Sequence, residues 1–210
     1  MATRPVQVTC HLIVCEGTET EPRYFEGMKV ALGPANGRKV AVVVRGSGRH
    51  TLDLFGYAED LCRYAPETFD HVWFVFDKDD FPATEFDLVE RRCQNASSPS
   101  CTFHALWSNS CFEIWPLLHL RYTTAPMDAA ECQRTLASAL RRECGVDYRK
   151  NMDCLFDAVD SKRSAAVVNA SRLFGHHEAI GNVKHSSMNP ATRIADIFGE
   201  FGPYLERGSG

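Results

Sequence analysis

Apolar positions along the chain fall into blocks of two kinds, and their order is informative. Residues 6–15 carry Val6, Val8, Leu12, Ile13 and Val14 in a nearly continuous run, the pattern of a strand covered on both faces. The run ends at Glu16-Gly17. There Thr18 or Thr20 can cap a helix that tolerates Pro22 in its first turn and repeats Tyr24, Phe25, Met28 and Leu32 at helical spacing until Gly33-Pro34. A second apolar run, residues 40–44, leads through Arg45-Gly-Ser-Gly48 into a helix with Leu52, Leu54, Phe55, Ala58 and Leu61 inside. A third, residues 72–76, precedes an acidic loop and a helix over residues 83–94 with Phe86, Leu88 and Val89 on its inner side. The polar stretch 95–100 then turns the chain into a fourth strand over residues 101–107.

Strands alternating with helices predict an α/β fold, a mostly parallel sheet flanked by helices, because parallel neighbours need crossover connections that cover both faces. Right-handed crossovers bring the strand ends after residues 15, 44, 76 and 107 to one rim. Beyond residue 110 no further strand is expected. Residues 112–120, 129–142, 154–159 and 162–174 have helical spacing, 175–189 reads as a polar connection, and Asn189-Pro190-Ala-Thr192 opens a final short helix running to Phe198. This divides the chain into an α/β core (1–110), a helical C-terminal portion packed on it (111–205) and a flexible tail (206–210).

Composition narrows the class of protein. The 210 residues are 44% hydrophobic and contain no apolar window of about 18 residues, so a soluble chain with no membrane span is expected. No basic region followed by an apolar stretch opens the sequence, which points to the cytoplasm. The nine cysteines are odd in number and form no C-x-x-C pair, favouring reduced thiols used as small core residues. A net charge of -4 argues against binding nucleic acid by bulk attraction. A local basic surface is still open to Arg141, Arg142, Arg149, Lys150, Lys162, Arg163 and Lys184, for which solvated helix faces are the plain alternative.

The chemistry concentrates at the predicted rim, where open α/β sheets bind ligands. VFDKDDF, residues 75–81, places Asp77, Asp79 and Asp80 directly after the third strand, and Glu16 follows the first. In an extended Asp77-Lys78-Asp79 the two aspartates point to the same side. Such a pair repels itself unless a cation sits between the oxygens, and Mg²⁺ or Mn²⁺ suits a hard, oxygen-only set completed by Glu16. Read alone, the acids are equally a solvated turn that caps a helix.

Four stretches in order make the wording more specific: CEGTETEPRYF (15–25), VFDKDDF (75–81), SNSCFEIW (108–115) with LLH (117–119), and NPAT (189–192). Glu-Gly after one strand and Asp-x-Asp after a later one resemble the Toprim domain, and the fuller series resembles the RloB-like family. Ser110 stands where proline is common in the third motif. The resemblance implies a Toprim-like core related to OLD-type nucleases, and a role in prokaryotic defence against phage, including abortive infection. It also implies an ATPase partner and nuclease activity. Residue by residue it makes Glu16 the first-strand glutamate, Asp77 and Asp79 the aspartate pair, and Glu21 the acid that opens the following helix.

These residues suit hydrolysis of a phosphodiester in RNA, tRNA included, or in DNA. Glu16, Asp77 and Asp79 hold one or two divalent ions, Glu21 or Glu113 assists, and Glu16 is the alternative general base. A lysine faces the non-bridging oxygens, with Lys78, Lys150, Lys162 and Lys184 as candidates. Arg45 and Ser47 offer a guanidinium and backbone N–H groups to phosphate, while Asn109 and Glu113, four apart at a helix start, face the rim or simply cap that helix. Adjacent His176 and His177 read as an exposed loop, and Tyr24 as a core residue. Two other readings use the same acids: a non-catalytic binding or sensor subunit of an ATPase-containing complex, and nucleotidyl transfer. A homo-oligomer is also open.

Overall fold

The computed structural model describes residues 8–36, 40–48, 51–66, 68–79 and 81–205. Val6, Asp80 and the tail 206–210 lie outside them, as do the side chains of Pro34 and Leu52. The apolar runs form β1 (Thr9–Cys15), β2 (Val40–Gly46), β3 (His71–Asp77) and β4 (Thr102–Asn109). They lie parallel in the order β2-β1-β3-β4, and a two-residue β5 (Ala191–Thr192) pairs antiparallel with β4. Five strands thus make a mostly parallel sheet flanked by helices, the α/β arrangement expected from alternating strand and helix patterns.

Continuous apolar runs are stable here because both faces of the sheet are covered. On one face Ile13, Cys15, Val44, Trp73 and Val75 share a core with α1 (Thr20–Asn36), α5 (Ile114–Leu120), α6 (Ala129–Cys144) and α9 (Phe198–Leu205). Residues of α7 (Leu155–Val159) and α8 (Arg163–Ala179) complete that layer. On the other face Leu12, Val14, Phe74 and Phe76 pack beneath α2 (Thr51–Tyr64), α3 (Ala83–Phe86) and α4 (Val89–Ala96). The helices beyond residue 110 therefore share a core with β1 and β3. Among the described residues no helix is long and apolar enough to cross a membrane, and none of the nine cysteines is disulfide-bonded.

Several boundaries depart from the expectations. The helix over residues 83–94 is broken at Asp87-Leu88, so Leu88 is exposed while Phe86 and Val89 are buried. Gly33, at φ 65, interrupts α1 where the sequence places its stop, but helical residues resume as far as Asn36. The connection 175–189 is partly ordered as helix, because α8 continues to Ala179. His177 is accordingly buried, and its Nε2 donates to the Pro190 carbonyl at 3.0 Å. Residues 191–192 form β5, and the helical segment begins later, as a 3-10 turn at Ile194–Ile197 followed by α9. A two-residue strand is too short to leave a periodic signal. It is held from the side by Ser108 and Thr192, whose hydroxyl oxygens lie 3.0 Å apart.

Candidate functional site

Strand register sets the rim. Cys15 is level with Gly46 and with Val75, and Asp77 with Ser108. The loops that follow are stitched by backbone hydrogen bonds: Glu16 N–H to the Val75 carbonyl at 2.8 Å, Ser47 N–H to Cys15 at 3.0 Å, and Gly48 N–H to Glu16 at 2.9 Å. Gly17 passes so close to α1 that a Cβ at that position would collide with the Glu21 carboxylate. A hollow of about 250 Å³ opens beside these loops, and Glu21, Asp77, Asp79, Glu113 and Lys150 line it.

The carboxylates there are poorly compensated. Asp77 is half-buried as a residue, yet its Oδ1 is shut off from solvent and has no hydrogen-bond partner. Burial, then the neighbouring Glu21 and Glu113, push its carboxyl well above the usual range, against the opposing N–H of Phe112. Burial likewise lifts Glu21 to about 7, its own N–H opposing; Glu113 and Glu16 add to the rise and Lys150 counters it. Glu113 is buried and accepts a hydrogen bond from the Tyr148 hydroxyl at 2.5 Å. Burial and that same carboxylate push the Tyr148 phenol upward, so it keeps its proton and donates.

Of the predicted metal ligands, Asp77 and Asp79 both line the hollow. They do so without an extended backbone between them. The strand ends at Asp77, and Lys78 and Asp79 turn, held by N–H bonds to the Ser108 and Ser110 carbonyls at 2.8 and 3.1 Å. Glu16 sits at the edge, its Oε2 accepting from the Asp77 N–H at 3.4 Å. Among the described residues no three His, Cys, Asp or Glu side chains stand close enough together, as they are, to hold a metal ion. The donor chemistry nevertheless fits a hard divalent cation, with oxygen ligands that repel one another and one buried oxygen lacking any donor.

The other candidates separate. Lys150 is the one lysine of the four that lines the hollow. Lys78 turns its ammonium to the Asp79 carbonyl at 3.3 Å, and Lys162 pairs with Glu143 at 3.3 Å. Lys184 is exposed beside His185, whose ring packs on Trp107 on the opposite face of the sheet. Arg45 bonds the Val44 carbonyl at 2.8 Å and lines a different hollow with Leu12, Val43 and Tyr57, also on that face. Ser47 contributes its backbone to the stitched loops. Asn109 and Glu113 do not share a helix face, because β4 runs through Asn109 and α5 starts only at Ile114. Asn109 donates to the His185 and Ser186 carbonyls at 3.2 and 3.1 Å, while Glu113 lines the acidic hollow. Tyr24 is buried, its hydroxyl accepting from Trp115 Nε1 at 2.8 Å.

The acids that meet here come from three of the four ordered motifs, and a family model spans all four. The model described as RloB-like protein matches residues 11–200. The chain belongs to the RloB-like family. No curated protein and no solved structure matches it. In this RloB-like chain the site also includes residues that the motifs do not mark: Tyr148 on Glu113, and Gln133 in the lining. The Asp-Tyr-Arg-Lys150 stretch carries no periodic or spacing signal, and only its two basic residues, Arg149 and Lys150, stood out in sequence.

Proposed function

We propose that this RloB-like chain is a Mg²⁺- or Mn²⁺-dependent nuclease with a Toprim-like core, hydrolysing phosphodiesters of RNA or DNA in prokaryotic defence against phage. The observation that carries the reading is Asp77 Oδ1, buried without a donor among Glu16, Glu21 and Glu113. A native fold rarely leaves a buried carboxylate oxygen unpaired unless a ligand or ion completes it.

Asp77, Asp79 and Glu16 would hold the cation, with Glu113 or Glu21 assisting. A divalent ion bound there supplies an acidified water and neutralises charge in the in-line transition state. The chain's own residues do the rest. Glu16, which accepts from the Asp77 N–H, would take a proton from the attacking water. Lys150, a residue of the lining, would face the non-bridging oxygens as negative charge gathers on them. Family membership supports the defence role and an ATPase partner, and the RNA or DNA substrate follows from the phosphodiester chemistry alone.

The test is calorimetric titration of Mn²⁺ into the full chain and into Asp77→Asn, followed by cleavage assays on tRNA and on duplex DNA. Binding by the wild type that disappears in the variant, together with cleavage lost by at least ~100-fold, is expected. Equal Mn²⁺ isotherms for the two proteins would reduce the acids to a structural turn and remove the nuclease reading.

A further inference from the structure

The connection between α6 and α7, residues 145–154, belongs to the helical portion, yet it reaches the acidic hollow at several points. The Tyr148 hydroxyl donates to Glu113 Oε1 at 2.5 Å. The Lys150 carbonyl accepts from the Thr20 hydroxyl at 3.0 Å, at the start of α1. Asp153 forms an ion pair with Arg23, one turn further along the same helix. Between these anchors Lys150, exposed as a residue, is the one basic residue in the lining among the described residues, and its charge counters the rise of Glu21.

Two physical consequences follow. A hydrogen bond to Oε1 fixes the plane of the Glu113 carboxyl and leaves Oε2 for another partner, as the outer partners of metal ligands do. A single ammonium among several carboxylates lowers their mutual repulsion and must also repel an arriving cation.

We propose that this strap is part of the cation-binding apparatus: Tyr148 is a positioning residue that presents Glu113 as a ligand, and Lys150 is the resident counter-charge whose place a divalent ion takes. The proposal rests on the metal-dependent reading above and adds to it the residues that regulate occupancy. When the ion enters, the Lys150 ammonium is repelled from the carboxylates and becomes available to substrate phosphate. The strap thereby links filling of the acidic hollow to the helical layer.

Opposite signs make the test. Mn²⁺ is titrated calorimetrically at low salt into the full-length wild type, Tyr148→Phe, Lys150→Met and Lys150→Arg, with Asp77→Asn as the blank. Tyr148→Phe should weaken binding about tenfold, the usual scale for losing an outer partner of a metal ligand. Lys150→Met should tighten it by roughly threefold through the lost repulsion, an effect that shrinks as salt is raised. Lys150→Arg keeps the charge and should stay near wild type. General damage to the strap would move Tyr148→Phe and Lys150→Met in the same direction, and that result overturns the proposal. So does unchanged affinity in both while Asp77→Asn abolishes binding, an outcome that leaves the metal reading standing. Absence of Mn²⁺ binding by the wild type overturns the metal reading and the strap's role together.

Discussion

At the scale of single residues, the candidate site is shaped by what is missing at position 17. Gly17 lies in the first rim loop, between β1 and α1, and any Cβ there would meet the Glu21 carboxylate. The clash is with the tip of a side chain, so the fold can yield by turning Glu21 away. That displacement removes one acid from the set that presses on Asp77. Gly17→Ala is therefore expected to cost about 1 kcal/mol or less in urea unfolding, while Mn²⁺ affinity drops about tenfold. A large loss of stability with unchanged metal binding would show that Gly17 serves the loop rather than the site. The residue scale also separates lysines that sequence treats alike: Lys162 is paired with Glu143, whereas Lys150 lines the acids.

At the scale of elements, β1, β3 and β4 each place a histidine on the face covered by α9, towards the end of the sheet away from the acids. His11 and His71 stack with centroids 4.7 Å apart, and Trp73 stacks on His104 at 3.9 Å. Trp73 Nε1 donates to His11 Nδ1 at 3.2 Å, and the Nδ1 of His71 lies 3.0 Å from Nε2 of His104. Burial, and then His71, lower His11 to about 3, Asp70 opposing and His104 adding to the drop; burial and His71 lower His104 to about 4. Both rings are thus neutral when folded, but take protons when unfolded near the usual 6.5. Neither affects stability above that value. Below it the unfolded chain binds more protons, so stability falls as pH drops from about 6.5 towards 3 to 4. Glu21 acts in the opposite sense in the metal-free chain. Raised to about 7, it favours the folded state as pH falls from there towards the usual 4.5. Urea unfolding of wild type and His104→Gln in chelator separates the two, and the variant should show a shallower acid limb between about pH 6.5 and 4. Parallel curves would exclude His104 from the acid response.

For the whole molecule, the helices beyond residue 110 are the second wall of the core. Phe112, Ile114, Trp115 and Leu118 pack in one cluster with Ile13, Cys15, Trp73 and Val75. A chain ending at residue 110 would expose that face of the sheet to water, at about 25 cal/mol for each Å² of apolar surface. It is expected to lack a cooperative thermal transition and near-ultraviolet dichroism, whereas a sharp transition in the truncated chain would establish an independent α/β unit. Much of this architecture was legible in sequence. Strand and helix periods are local, so β1 to β4 and most helices lie close to where the apolar spacing places them, and acids at the ends of β1 and β3 reach one rim because parallel strands must end together. The contacts that complete the site are not local. Thr20 meets Lys150 across 130 positions, and Tyr148 meets Glu113 across 35. The same is true of β5, seated on β4 by Ser108 and Thr192, and of His177, buried against Pro190. Sequence by itself determined the sheet, its direction and the acids along its rim, because each is specified by a residue's immediate neighbours. Only the tertiary structure decided which lysine joins the acids, which tyrosine holds Glu113, and which face Arg45 and Asn109 serve. Those choices depend on how distant segments pack, for which a linear pattern holds no periodic signal.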